Sequence, residues 1–242
     1  MSTTTRTPLT TSRSVRRAGV WCLGAGLVGA AQAIIMLAWS PQVSDDRYSY
    51  PFTGFGFVVA QTSFFLQHLP LVVGVAALLW LPAVRASRTA RIATVAATVG
   101  LMLLTVNELI TITAYDATTD SSLATLVDTL YGPPVILIGA GLVVAGIALL
   151  RQDSAAGVSA RLIPAVVLVL GVYVFVPLTP AIMGTFTAAR LGIGGWMLLF
   201  ALLGFGLTRL PTSSSDDRPV RHRDRRGAPI DTGDSVVSRN VR

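Results

Sequence analysis

Hydrophobic residues in this chain gather into six long runs rather than into the alternating pattern of a soluble helix or strand. The runs cover roughly 18–39, 56–81, 92–114, 133–150, 162–179 and 191–208. Each is close to the ~20 residues that an α-helix needs to cross about 30 Å of hydrocarbon. Only helices and closed barrels satisfy every backbone polar group inside a bilayer. The pattern therefore predicts an all-α, polytopic membrane bundle of six transmembrane helices.

Arginine is distributed unevenly over the connections between the runs. The chain has no lysine, and 17 of its 19 basic residues lie before run 1, between runs 2 and 3, between runs 4 and 5, and after run 6. The other connections hold only Arg47 and Arg190. Because basic residues beside membrane spans are retained in the cytoplasm, we predict that both termini are cytoplasmic.

Polar segments flank the runs at both ends of the chain. Residues 1–17 are rich in Thr, Ser and Arg, and residues 211–242 combine Arg, Asp and Ser. Neither segment has enough apolar side chains to offset the entropy of ordering it. We expect a disordered cytoplasmic tail over 1–17, a transmembrane domain over 18–210 and a disordered, basic cytoplasmic tail over 211–242.

Composition and charge bear on the partners of the chain. With 52% hydrophobic residues, 13% charged residues and a mean hydropathy of +0.64, the chain is too apolar for a soluble domain of its length. The net charge of +7 lies in the tails and inner loops. We expect the lipid bilayer and anionic headgroups as partners, a membrane protein or second copy as a further possibility, and no nucleic acid. The lipid-binding cluster is predicted at Arg218, Arg221, Arg223, Arg225 and Arg226, with a simple topological anchor as the alternative.

The glycine pattern at 24–29 (GAGLVG) matches the dinucleotide-binding motif, yet it lies inside an apolar run and not between a strand and a helix. We therefore interpret these glycines as points of close helix approach. No grouping of His, Cys and acidic residues has metal-site spacing, and no nucleophile motif occurs. The sequence predicts no metal, no cofactor and no catalytic residue.

Polar residues within the runs mark a candidate site. Glu108 is the only glutamate in the chain and the only acid inside a predicted span. An ionisable group at this depth is costly unless it is neutralised, paired or hydrated, so Glu108 should face the bundle interior. Gln61 and His68 share one face of the second span. Pro70 should kink that span and turn the carbonyl of Leu66 toward the interior.

Three further residues complete the candidate proton or ligand site. Gln32 of the first span lies at a depth similar to that of Glu108, and Asn107 and Tyr173 are expected at its periphery. One interpretation is a proton- or cation-handling site or a polar pocket open to the exterior, in which Glu108 titrates and His68 acts as its relay. The other is hydrogen bonding between helices that fixes the packing of spans 1, 2 and 3. The residues leave both open.

The two longer exterior connections carry local signals. The first, 40–55, is rich in aromatic rings, which favours a position at the headgroup level. The second contains an amphipathic pattern over 123–130, typical of a short surface helix. Gly132, Pro133 and Pro134 should break the chain between this helix and the fourth span.

Four segments carry a resemblance: 107–110 (NELI), 131–132 (YG), 171–180 (GVYVFVPLTP) and 194–198 (GGWML). They resemble small six-span integral membrane proteins of high-G+C bacteria, and the resemblance implies a bacterial plasma membrane and no named reaction. Three hypotheses remain: a non-catalytic accessory, sensory or assembly protein; a small-solute or proton-coupled transporter with its site around Glu108; and an intramembrane lipid-modifying enzyme. An accessory protein should have a packed bundle and a partner-facing groove, whereas a transporter needs a cavity that reaches Glu108.

Overall fold

The structure is a computed structural model, and it describes residues 9–152 and 158–210 of the 242-residue chain. Within these ranges the secondary structure is helical, and no β-strand occurs there. The helices are α1 (Leu9–Ala38), α2 (Gly54–Ala77), α3 (Pro82–Ala86), α4 (Arg88–Thr111), α5 (Ser122–Leu150), α6 (Val158–Tyr173), α7 (Thr179–Ile182) and α8 (Phe186–Thr208). Single 3₁₀ turns, Leu78–Trp80 and Ile112–Ala114, extend α2 and α4, and a π-helical turn, Val174–Leu178, joins α6 to α7.

Six helical segments in the described part of the chain are long and apolar enough to cross a membrane. They confirm the six predicted spans, and each lies within a few residues of its apolar run except the fourth, which starts earlier. The segments are Arg13–Ala38, Gly54–Trp80, Arg88–Ala114, Ser122–Leu150, Arg161–Ile182 and Phe186–Thr208.

The six spans form a closed ring. Each span packs against its neighbours in sequence, in the order α1, α2, α4, α5, α6 and α8, and α8 returns to pack along α1. Side chains from all six spans meet in one continuous apolar cluster. Its fully buried members include Leu71, Leu101, Leu142, Leu170 and Phe200. An apolar core therefore fills most of the space between the helices.

Glycine permits the closest of these helix contacts. A Cβ on Gly26 of α1 would lie 2.5 Å from the backbone nitrogen of Ala201 in α8. A Cβ on Gly141 of α5 would lie 2.7 Å from the carbonyl oxygen of Ala93 in α4. Small residues let membrane helices approach in this way, which confirms the packing interpretation for Gly26. Gly24 differs, because a Cβ there would have no atom within 4 Å.

The two ends of the ring carry different connections. At one end, which we call the cap end, the segments 39–53 and 112–121 contact each other. Arg47 forms an antiparallel bridge with Thr118, and its guanidinium lies 3.4 Å from the carboxylate of Asp116. The opposite end, which we call the arginine end, carries most of the arginines in the described part of the chain: Arg13, Arg16, Arg17, Arg85, Arg88, Arg91, Arg151, Arg161 and Arg209.

The predicted break before the fourth span is wrong. Helix α5 runs from Ser122 through Pro133 and Pro134 to Leu150, so the amphipathic helix and the span are one element. Each proline removes the N–H that would bond the carbonyl four residues earlier. Those carbonyls belong to Thr129 and Leu130, both exposed near the cap end. Water or lipid headgroups can hydrogen-bond them there, so the helix continues.

Helix α1 extends beyond the first apolar run into the segment expected to form the N-terminal tail. Helix α1 begins at Leu9, so residues 9–17 continue the first span. Those residues contain neither glycine nor proline, and extending an existing helix costs far less than nucleating one. Residues 1–8 and the predicted tail 211–242 lie outside the described residues.

Helix α2 continues through Pro70, and the expected direction of the freed carbonyl is wrong. Leu66 is 57% exposed and, together with Pro70, lines a groove between α1 and α2 on the outer surface of the ring. Residues four apart share a helical face, so this carbonyl lies on the groove side and not toward the interior. His68 is buried.

Candidate functional site

Glu108 is buried in α4 near the cap end. It lies six residues before Ala114, the end of the 3₁₀ turn, which places it about 9 Å below the end of the span. The residue is only 7% exposed. Its Oε2 accepts a hydrogen bond from the hydroxyl of Tyr131, with 3.4 Å between the oxygens. The expectation that Glu108 faces the bundle interior is confirmed.

Tyr131 reaches Glu108 from α5, the neighbouring span in the ring. The fused helix positions it, because Tyr131 lies just before Pro133 in the segment expected to be broken. The hydroxyl of Thr111 lies 2.8 Å from the hydroxyl of Tyr131 and 2.8 Å from the carbonyl oxygen of Asn107. A short chain of hydroxyls therefore connects Glu108 to the backbone of its own helix.

Arg190 brings the opposite charge to this site. It lies four residues after the start of α8, and its guanidinium interacts electrostatically with Glu108 and Tyr131 at a separation greater than that of a direct ion pair. Its Cζ lies 4.9 Å from the ring centre of Phe186, and its Nε is buried without a hydrogen-bond partner. We call Glu108, Thr111, Tyr131 and Arg190 the carboxylate cluster. Its residues come from α4, α5 and α8.

The connection between α1 and α2 packs against two of the helices that supply this cluster. Tyr48 donates a hydrogen bond of 2.7 Å to the carboxylate of Asp128 on α5. Tyr50 packs edge to face on Phe186 at the start of α8, with ring centres 5.2 Å apart. Burial, followed by the hydrogen bond to Asp128, raises the pKa of the Tyr48 phenol above its usual range. Tyr48 therefore remains a protonated donor at neutral pH.

Gln61 and Asn107 are buried on the facing helices α2 and α4. Gln61 Oε1 and Asn107 Nδ2 have no hydrogen-bond partner. A Cβ on Gly54 would contact the ring of Tyr115, which sets the register of the two antiparallel helices. Gln61 and Glu108 each lie seven residues inward from this contact, so they occupy the same level of the bundle.

The predicted relay through His68 has no supporting contact in the described part of the chain. The Nδ1 of His68 donates to the carbonyl of Phe64 at 2.7 Å, one turn earlier in the same helix. His68 lies seven residues beyond Gln61, which is about 10 Å deeper. No hydrogen bond joins His68 to Glu108 among the described side chains, so these two residues belong to different levels of the ring.

Gln32 and Tyr173 also lie apart from the carboxylate cluster. Gln32 donates to the hydroxyl of Ser63 at the groove between α1 and α2. The hydroxyl of Tyr173 lies against Gly195 of α8, five residues deeper than Arg190. The predicted lipid-binding arginines lie outside the described residues.

Sequence reasoning misses Tyr131 and Arg190. Arg190 precedes the sixth apolar run, which begins at 191, so the pattern places it in a connection. A usable signal was present in the sequence. Glu108 and Arg190 each lie within about two helical turns of the predicted outer end of a span, so they were expected at similar depth in the membrane.

The chemistry of the site follows from its unpaired atoms. The carboxylate of Glu108 can accept a proton or a hydrogen bond, and Gln61 Oε1 is a free acceptor. Arg190 Nε and Asn107 Nδ2 are free donors. Buried polar atoms are normally paired with protein or water. The site is therefore suited to bind a proton, water or a small polar molecule.

No protein-family model, curated protein or solved structure matches this chain. Function is therefore inferred from the geometry of the bundle and its polar residues.

Proposed function

We propose that this chain is a non-catalytic accessory, sensory or assembly protein of a bacterial plasma membrane. The observation that carries the proposal is the closed ring of six spans with a continuous apolar core. Secondary transporters bind substrate near the midplane, at discontinuous helices that line a hydrated cavity. Here the interior of the ring is filled mainly by apolar side chains, with His68 and Gln67 buried among them, and the groove between α1 and α2 offers a surface toward other membrane components.

We also propose that both termini lie in the cytoplasm. The arginine end carries the exposed basic residues that normally remain on the cytoplasmic side. The two exceptions at the cap end both have an acidic neighbour: Arg47 pairs with Asp116, and Arg190 interacts with Glu108. Neutralisation within the fold explains why these arginines are compatible with an exterior position. The resemblance to membrane proteins of high-G+C bacteria supports the plasma membrane as the location.

A second candidate function is proton-coupled or small-solute transport through the site at Glu108. The observation that favours it is the buried carboxylate beside Arg190, at the level of an unpaired Gln61. Intramembrane ionisable residues commonly mark proton and ion pathways. This function requires that the interior opens beyond the state described above.

Reconstitution into proteoliposomes separates the two candidates. Purified protein is inserted into vesicles that contain a pH-sensitive dye, and a pH gradient and a membrane potential are imposed. If the protein is an accessory protein, vesicles that contain the wild type or Glu108→Gln should show the same proton flux as vesicles without protein. A wild-type flux that Glu108→Gln abolishes, and that the exposed control Asp120→Asn retains, would establish transport instead.

The accessory role also has a positive test. After cross-linking in intact membranes, the protein should migrate as a defined complex with a second membrane protein in constant stoichiometry. Migration as an isolated monomer in membranes that contain its native neighbours would count against this role.

A further inference from the structure

The groove between α1 and α2 is open toward the lipid side of the ring. It has a volume of about 720 Å³, within the size range of small-molecule sites. Trp21, Gly24 and Val28 line it on α1, and Val59, Leu66 and Pro70 line it on α2. From Trp21 to Gln32 it extends over eleven residues of helix, or about 16 Å. One leaflet of the hydrocarbon core is about 15 Å deep, so the groove matches one acyl chain in length.

Two glutamines line the groove, Gln32 at its far end and Gln67 beside Ala25, four residues from Trp21, and the amide nitrogen of each donates within the protein. Gln32 donates to the hydroxyl of Ser63, and Gln67 donates to the carbonyl oxygen of Ala25 at 3.0 Å. The amide nitrogens are thus used within the protein. The rest of the lining is mainly apolar, and the groove ends at Gln32.

The near end of the groove carries positive charge in a fixed position. Arg13 and Arg17 lie eight and four residues before Trp21, and Gly24 and Val28 lie three and seven residues after it, so all five share one face of α1. Because α1 is continuous from Leu9, this face is held in register with the groove. Both arginines are exposed, and neither forms an ion pair within the described residues.

We propose that the groove binds one anionic phospholipid from the leaflet at the arginine end, with its headgroup on Arg13 and Arg17 and one acyl chain along Trp21, Gly24 and Val28. This leaflet is the cytoplasmic one in the topology proposed above, and the location of the site rests on that proposal. The headgroup selects the lipid, because an acyl chain is as well solvated in the bilayer as in the groove. Two surface arginines give an expected preference of about thirty-fold for an anionic over a zwitterionic headgroup.

Quenching of Trp21 by brominated lipids tests the site. Protein that carries Trp39→Phe and Trp80→Phe retains Trp21 in the groove and the buried Trp196 as a constant background. It is placed in nanodiscs of phosphatidylcholine with increasing fractions of phosphatidylglycerol brominated on its acyl chains, or of brominated phosphatidylcholine. We expect half-maximal quenching at a mole fraction about thirty-fold lower for phosphatidylglycerol.

Three variants decide whether the preference belongs to this groove. Arg13→Gln combined with Arg17→Gln should abolish it, whereas Arg85→Gln combined with Arg88→Gln, which removes exposed charge from the same end, should preserve it. Gly24→Leu should fill the groove without disturbing the fold, because a Cβ at Gly24 meets open space. It should therefore abolish the preference while leaving the melting temperature unchanged.

Equal quenching by the two lipids would overturn the proposal, as would a preference that survives loss of Arg13 and Arg17. Weak quenching by both lipids, together with a dimer that Gly24→Leu dissociates, would assign the groove to a second copy of the chain. Nanodiscs expose both leaflets to the same lipid mixture. The lipid preference in nanodiscs therefore does not depend on the orientation of the protein. A negative quenching result is thus distinguishable from an error in the proposed topology, which reporter fusions measure independently.

Discussion

The electrostatic interaction between Glu108 and Arg190 gives the sharpest prediction for the carboxylate cluster. Replacing Glu108 by Gln removes the negative charge and keeps the shape and hydrogen-bonding capacity of the side chain. Arg190, a half-buried guanidinium whose Nε has no partner, then loses its compensating charge. Two unit charges 4 Å apart attract by about 4 kcal/mol at an effective dielectric constant of about 20, and the attraction weakens at wider separations such as this one. We therefore expect Glu108→Gln and Arg190→Gln each to lower the free energy of unfolding by about 2–3 kcal/mol.

A double-mutant cycle measures the interaction itself. Reversible unfolding in bicelles is followed for the wild type, for each single variant and for Glu108→Gln combined with Arg190→Gln. The double variant should lose little more than either single variant, which gives a coupling energy of about 2–3 kcal/mol. The matched control is the exposed pair Arg47 and Asp116, whose side chains are 43% and 80% exposed. Its coupling energy should be below about 1 kcal/mol. Additive effects of Glu108 and Arg190 within about 0.5 kcal/mol would refute the interaction.

Two further predictions concern packing and the cap. Gly26→Ala should lower the free energy of unfolding by about 1–3 kcal/mol, because its Cβ would lie 2.5 Å from the backbone of Ala201. Gly132→Ala, which meets open space, should be neutral in the same unfolding assay, and equal losses for the two variants would contradict the packing account. The raised pKa of Tyr48 means that the folded state keeps the phenol proton above the ordinary value of 10.0. The contribution of Tyr48 to the free energy of unfolding should therefore be fully present below that pH and should fall as the pH rises above it. Tyr48→Phe should remove this part of the pH dependence, and an unchanged alkaline slope would show that Tyr48 does not cause it.

The sequence is a good guide to the spans because the bilayer imposes their length and apolarity. Each of the six apolar runs corresponds to a helix in the described structure. Glu108 is buried, because a charged side chain exposed to lipid would be costly. These properties depend on one helix and its solvent. They do not depend on which helices are neighbours.

The partners of Glu108 depend on the order of the helices around the ring. Helical periodicity places Gln61 and His68 on one face, but a depth difference of about 10 Å separates them along the axis. Tyr131 contacts Glu108 only because α5 continues through Pro133 and Pro134, where a local rule for proline predicts a break. Arg190 lies near Glu108 because α8 packs along α1 and closes the ring, and no local sequence pattern predicts this packing.

The side of the membrane on which each end of the bundle lies is the measurement that tests the account most directly. Two exposed positions, Thr119 at the cap end and Ala86 at the arginine end, are changed to cysteine one at a time, while the fully buried Cys22 remains in place. Intact cells are treated with a membrane-impermeant maleimide. The proposed topology predicts labelling of Thr119→Cys in intact cells and labelling of Ala86→Cys only after the membrane is permeabilised. Labelling of Ala86→Cys in intact cells, with Thr119→Cys protected until permeabilisation, would reverse the orientation and place the carboxylate cluster on the cytoplasmic side.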